Sequence, residues 1–221
     1  MVEPWIKAGY DALIVDLQHG PGYSNATTKN GLTVRSWGGD VRKFLPPLVE
    51  YAAVFAFPPC TNLAVSGARW FKDKGLDALC DSLSIVEWCR KICEWSGAPW
   101  LLENPVSTIS SYWRKPDFMF DPCEYADYLS DPSSEAYTKR TCLWTGGGLV
   151  MPEKKPVEAV LGSMMHKLPP SEDRGNLRSV TPAGFAQAVF EANRRKESST
   201  SKQQLSTPSP DVPAVSTPRM S

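Results

Sequence analysis

Three short apolar runs stop abruptly at residues that carry chemistry. Ala12–Leu17 (ALIVDL) ends at the acid Asp16. Ala52–Phe57 (AAVFAF) runs into Pro58, Pro59 and Cys60, and Trp100–Leu102 (WLL) runs into Glu103, Asn104 and Pro105. Unbroken apolar runs of this length read as strands buried on both faces. Between the second and third lies the best helix, Leu76–Trp95. Leu79, Leu83, Val86, Cys89 and Cys93 share one face of it, with Ile85, Trp88 and Ile92 beside them. Gly97 and Pro99 close it. Met1–Gly9 reads as the end of a helix, 20–31 as a loop, and Val41–Tyr51 as a short helix or irregular turn. Thr141–Trp144 reads as a fourth strand, followed by a glycine turn at 146–148. Ala183–Arg195 reads as a last helix with Phe185, Val189 and Phe190 inward. Strands alternating with helices predict an α/β fold: a doubly wound, mostly parallel sheet with helices on both faces. In such folds ligands bind beyond the carboxyl ends of the strands, so Asp16, Cys60 and Glu103 are expected on one rim.

Charge and cysteine content narrow the function classes. Lys plus Arg and Asp plus Glu are 24 each, which excludes a strongly basic nucleic-acid coat but leaves room for a local basic patch. Ala52–Phe57 is six residues long, whereas a membrane span needs ~20. No charged start followed by an apolar stretch opens the chain, so neither a membrane span nor a secretory signal is expected. The six cysteines include no Cys-x-x-Cys pair. Cys89 and Cys93 lie one helical turn apart, but with only His19 and His166 a tetrahedral metal set is not assembled. Free thiols in a reducing, cytoplasmic compartment and no metal are the expectation. Residues 197–221 hold seven Ser, three Thr and four Pro with no apolar periodicity. They are expected to be a disordered tail on a single domain spanning 1–196.

Each candidate residue has two readings. Cys60 is a nucleophile held on a stiff turn, or a buried structural thiol. Glu103 is a shielded acid able to hold a proton beside a substrate, or a structural acid paired with an amide or cation. Asp16 takes the ribose hydroxyls of a nucleoside cofactor, or caps a turn. Asp40, after Gly38-Gly39, sits near an adenine, or is a turn aspartate. Thr61–Gly75 interleaves Arg69, Lys72 and Lys74 with Trp70 and Phe71. That pattern suits phosphate and base contacts, or belongs to an ordinary solvated loop.

FAFPPC (55–60), LLENP (101–105) and RSVTPAGFAQAVFEAN (178–193) together resemble the DNA cytosine-C5 methyltransferases, more narrowly the compact bacteriophage proteins of that kind. The resemblance spans roughly Trp5 to Asn193. It implies a Rossmann-like fold dependent on S-adenosylmethionine, acting on DNA as a monomer. Cys60 matches the nucleophile that attacks C6 of cytosine, and Glu103 the acid at N3 and the exocyclic amine. Asp16 matches the cofactor-ribose acid and Asp40 the acid near the adenine, with Pro58 beside the cofactor. The segment from Thr61 matches the mobile catalytic loop, with Arg69, Trp70, Lys72 and Lys74 toward DNA. Residues 178–193 match a C-terminal helix beside the cofactor.

The chain also departs from that pattern. It begins inside the helix after the family's first strand and glycine turn. Glu-Asn-Pro replaces Glu-Asn-Val. Lys139-Arg140-Thr141 is the nearest substitute for the family's paired arginines, with Arg140 as the candidate. Trp144 and Arg178 are too close for a normal target-recognition domain. A truncated relative that binds DNA or a protein without catalysis, and an enzyme acting on a free pyrimidine nucleotide or RNA, are the other expectations.

Overall fold

The computed structural model describes residues 1–27, 33–163 and 180–195. The expected tail, His166, and Arg178 and Ser179 of the C-terminal motif lie outside those residues. The chain opens with α1 (Glu3–Lys7), β1 (Ala12–Thr27) and β2 (Thr33–Gly38), then β3 (Val54–Ala56), α2 (Phe71–Trp95) and β4 (Trp100–Pro105). After them come α3 (Ile109–Tyr112), β5 (Phe118–Phe120), β6 (Thr141–Gly146) and α4 (Ala183–Asn193).

The main sheet has the order β3-β4-β6-β5. β3 and β4 pair in parallel, Ala56 opposite Leu102, and the 25-residue α2 connects them. β6 lies antiparallel to β4, with Glu103 opposite Leu143, and β5 is antiparallel to β6. The fold is therefore mixed α/β. Thr141–Gly146 runs back against β4, because β5 precedes it and the two form an antiparallel pair. The three-residue β5 (FMF) is too short to stand out in the sequence.

Alternation along β4 divides the core. Trp100 and Leu102 face α2 and pack with Ala56, Cys142, Trp144, Val86 and Cys93. Leu101 faces α4, with Leu143, Phe120, Phe185 and Val189. Helices thus cover both faces, as the continuous apolar strands require. Trp5 of α1 closes the second face, its ring 5.2 Å from Phe190 and 5.8 Å from Phe55. The glycine turn after β6 is needed: Gly147 has φ +61, and a side chain there would collide with the Ala98 carbonyl.

Ala12–Leu17 is where the expectation fails. β1 begins at Ala12 but continues through the segment read as a loop, to Thr27. It pairs with β2 twice in a small sheet of its own: Ala12–Asp16 run alongside Val34–Gly38 in the same direction, and Gly22–Thr27 pair antiparallel with Thr33–Gly38. Ala12–Val15 are only half-buried and 16–26 are exposed. The polar stretch that follows returns the chain to a sequence neighbour, which closes a short loop at small entropic cost. Asp16 therefore ends a half-buried segment that lies outside the main sheet.

Candidate functional site

The carboxyl ends of β3 and β4 lie side by side, and the segments that leave them are stitched together. Val65 N donates to the Val106 carbonyl at 3.0 Å and Thr108 N to the Leu63 carbonyl at 2.9 Å. Ala64 and Ser107 form an antiparallel bridge. The Cys60 carbonyl accepts from the N–H groups of Leu63 and Ala64, each at 2.9 Å, which winds the chain tightly after the thiol. The structure thus brings Cys60 and Glu103 to one edge. Cys60 is half-buried rather than sealed in the core. Cys93, Cys123 and Cys142 are buried, and desolvation raises their thiols, that of Cys93 to about 12.

Glu103 projects to the α4 face of the sheet, since its neighbours Leu102 and Asn104 turn to the other. It is packed into a tight gap walled by Phe120, Lys139, Thr141, Val180 and Phe185, without room for a water molecule. Burial among these raises its carboxyl from 4.5 to about 7, against the opposing pull of Lys139. A carboxyl in that range exchanges a proton near neutrality.

Lys139, not Arg140, shares this gap. Glu103 stands opposite Leu143, so 141 and 139 continue along the same side and 140 along the other. The Lys139 ammonium also donates to the Val180 carbonyl at 3.3 Å. Arg140 is exposed and pairs with the buried Asp121 at 2.9 Å, which removes it from the Glu103 gap. The period-two alternation of the strand is the signal that points to Lys139.

The residues after Cys60 are not a simple loop. A 3-10 segment, Val65–Trp70, leads into α2, which breaks at Gly75 (φ 77°, ψ 177°) before its regular stretch. Arg69, Trp70, Lys72 and Lys74 are all exposed. The Arg69 guanidinium lies 5.1 Å from the Trp70 ring centre. Lys74 Nζ donates to the Thr61 carbonyl at 2.7 Å, folding this basic segment back beside Cys60. Asn62, Phe71, Lys72, Lys74, Leu76 and Leu79 line a cleft of about 370 Å³ here.

The acids expected to hold a cofactor are placed differently. Asp16 is exposed on the hairpin and accepts from the Gln18 N–H at 2.8 Å. Asp40 caps the turn at Val41–Lys43 and is clasped by Arg42, with contacts of 2.6–3.0 Å that hold its carboxyl below the usual range. Arg42 in turn reaches Asp81 of α2 at 2.6 Å. Pro58 is buried, and its carbonyl accepts from Asn104 Nδ2 at 3.0 Å. Asp16 and Asp40 do lie near each other, since Asp16 pairs with Gly38 across the hairpin. They sit off the main sheet, and Asp40 has the turn role that was its other reading. Among the described residues no group of three or more His, Cys, Asp or Glu is placed to hold a metal ion. No described helix is long and apolar enough to cross a membrane.

No family model, curated protein or solved structure matches the chain.

Proposed function

We propose that this chain is a DNA cytosine-C5 methyltransferase-like protein in which Cys60 adds covalently to C6 of an extruded cytosine and Glu103 meets its N3 edge. The observation that carries the reading is the pair of adjacent parallel strands whose linked carboxyl ends deliver Pro-Pro-Cys and Glu-Asn-Pro to one edge. We read β3-β4-β6-β5, with α2 and α4 on opposite faces, as half of a Rossmann-like sheet. In the reaction the Cys60 thiolate attacks C6, forming the S–C bond while the C5–C6 π pair shifts to C4–C5 and the C4–N3 π pair moves onto N3. Glu103, with a carboxyl near 7, supplies the proton that N3 accepts. Lys139 adds a cation beside the same gap. The base must first leave the duplex, at a cost of about a few kcal/mol. Arg69, Trp70, Lys72 and Lys74 offer charge and a stacking surface to the strand.

The resemblance names S-adenosylmethionine as methyl donor. The residues expected to hold it do not form a site at this edge. Asp40 is neutralised by Arg42, Asp16 stands on the exposed hairpin, and the Pro58 carbonyl is occupied by Asn104. This placement favours a second reading, a non-catalytic relative that binds DNA or a protein partner. A cytoplasmic, monomeric protein belongs to either reading.

The test is transfer of a labelled methyl group from S-adenosylmethionine to cytosine-containing DNA, with nucleoside digestion to identify the product. Labelled 5-methylcytosine that disappears with Cys60→Ser supports the first reading. No label, together with no heat on titrating S-adenosylmethionine, supports the second.

A further inference from the structure

Pro58 and Pro59 carry no backbone N–H, so the two residues just before Cys60 have no donor with which to tie themselves to β4. Its carbonyls remain, and Asn104 takes one of them: Nδ2 lies 3.0 Å from the Pro58 oxygen. Asn104 is 1% exposed, on the face of β4 opposite to Glu103. Its Oδ1 has no hydrogen-bond partner. A buried acceptor left unpaired is costly, and an apolar side chain at this position would avoid the cost. The position keeps an amide whose one engaged group holds the turn that presents Cys60.

We propose that Asn104 is a positioning residue, a clamp that fixes the Pro58-Pro59-Cys60 turn to β4 and so sets the orientation and shielding of the Cys60 thiol. It does not touch the substrate. One residue pair on β4 thereby serves the edge twice, Glu103 toward the α4-side gap and Asn104 toward the Cys60 turn. The part the clamp plays in catalysis rests on the methyltransferase-like reading; the clamp itself does not.

The test is site-resolved alkylation by iodoacetamide of the full chain, mapped by mass spectrometry, with the exposed Cys80 and the buried Cys93 as internal references. In Asn104→Ala the Cys60:Cys80 ratio is expected to rise about fivefold, the population change that losing one ordinary hydrogen bond gives. Cys93 stays protected, because the release is local. Asn104→Asp keeps the shape. Burial favours its protonated form, which can donate to Pro58, whereas the carboxylate cannot. Its Cys60:Cys80 ratio should match wild type at pH 6 and rise at pH 8.5. A purely structural role would not give that pH dependence. If Asn104→Ala fails to fold, exposing Cys93, the Asp variant alone decides. Unchanged ratios in folded variants at both pH values overturn the clamp, as does a rise shared equally by Cys93. A raised Cys60 ratio in a protein that never forms a cytosine adduct would keep the clamp and overturn the proposed function.

Discussion

Ala52–Phe57 and Ala12–Leu17 are both six-residue, apolar-rich runs that stop at chemically loaded residues. The first yields a strand inside the main sheet, with Ala56 buried and Leu102 of the neighbouring strand fully buried beside it. The second yields part of an exposed ribbon, with Leu17 70% exposed. The difference lies in the downstream sequence of each run. After Cys60 comes α2, whose regular stretch beyond Gly75 carries an apolar face that returns the chain to the sheet in parallel. After Asp16 comes a polar stretch rich in Gly, Asn and Thr that reverses the chain on itself. Cys60 and Glu103, proposed as nucleophile and acid, are thus held at the edge of the core, while Asp16, one of the two acids expected to hold a cofactor, lies on the ribbon.

The widest gap between the two regions should appear in amide hydrogen exchange. Leu102 and Leu143 should open only with global unfolding, and Tyr23 and Ser24 by local fraying. That separation is roughly a thousandfold or more in protection. Equal protection would show that the ribbon belongs to the core. Next in size is Glu103→Gln. A carboxyl raised to about 7 is protonated in the native state and must ionise as pH rises from 4.5 through 7. Stability contributed by the proton is fully present below the unfolded value and lost above the folded one. The variant should therefore match wild type near pH 5. Near pH 8 it should be more stable by about 1–3 kcal/mol, read from urea melts. A stability difference independent of pH would contradict the shielding of Glu103. Asp40→Asn touches only a half-exposed ion pair with Arg42. It should cost about 0.5–1 kcal/mol and leave Cys60 alkylation unchanged. A change at Cys60 would join the two regions that the structure keeps apart. The smallest effect is expected for Lys139→Met. Removing the cation that lowers Glu103 should shift its titration upward by a fraction of a unit, visible by NMR of the labelled carboxyl. A downward shift would place another charge at the gap.

Much of the edge is legible in the sequence because apolar continuity and proline punctuation are strong local signals. Pro58-Pro59 marks where β3 ends, and the face of Leu79, Leu83 and Val86 identifies α2. The antiparallel return of β6 is not legible, because it depends on a three-residue partner, β5, and on pairing between distant segments. Charge type alone favours Arg140 over Lys139. Strand alternation makes the opposite choice, and it needs the register Glu103 to Leu143 before it can be read. Asp40 shows the same limit: its acid is visible in the sequence, but not the Arg42 that consumes it two residues later as the turn closes.

The central claim is that Cys60 is the reacting group of a site completed by Glu103. The most direct measurement is the mass of the full chain after incubation with 5-fluorocytosine-containing DNA and S-adenosylmethionine. The account predicts a covalent adduct that maps to the Cys60 peptide, is absent in Cys60→Ser and is greatly slowed in Glu103→Gln. An adduct that survives Cys60→Ser, or no adduct with folded wild-type protein, would contradict it.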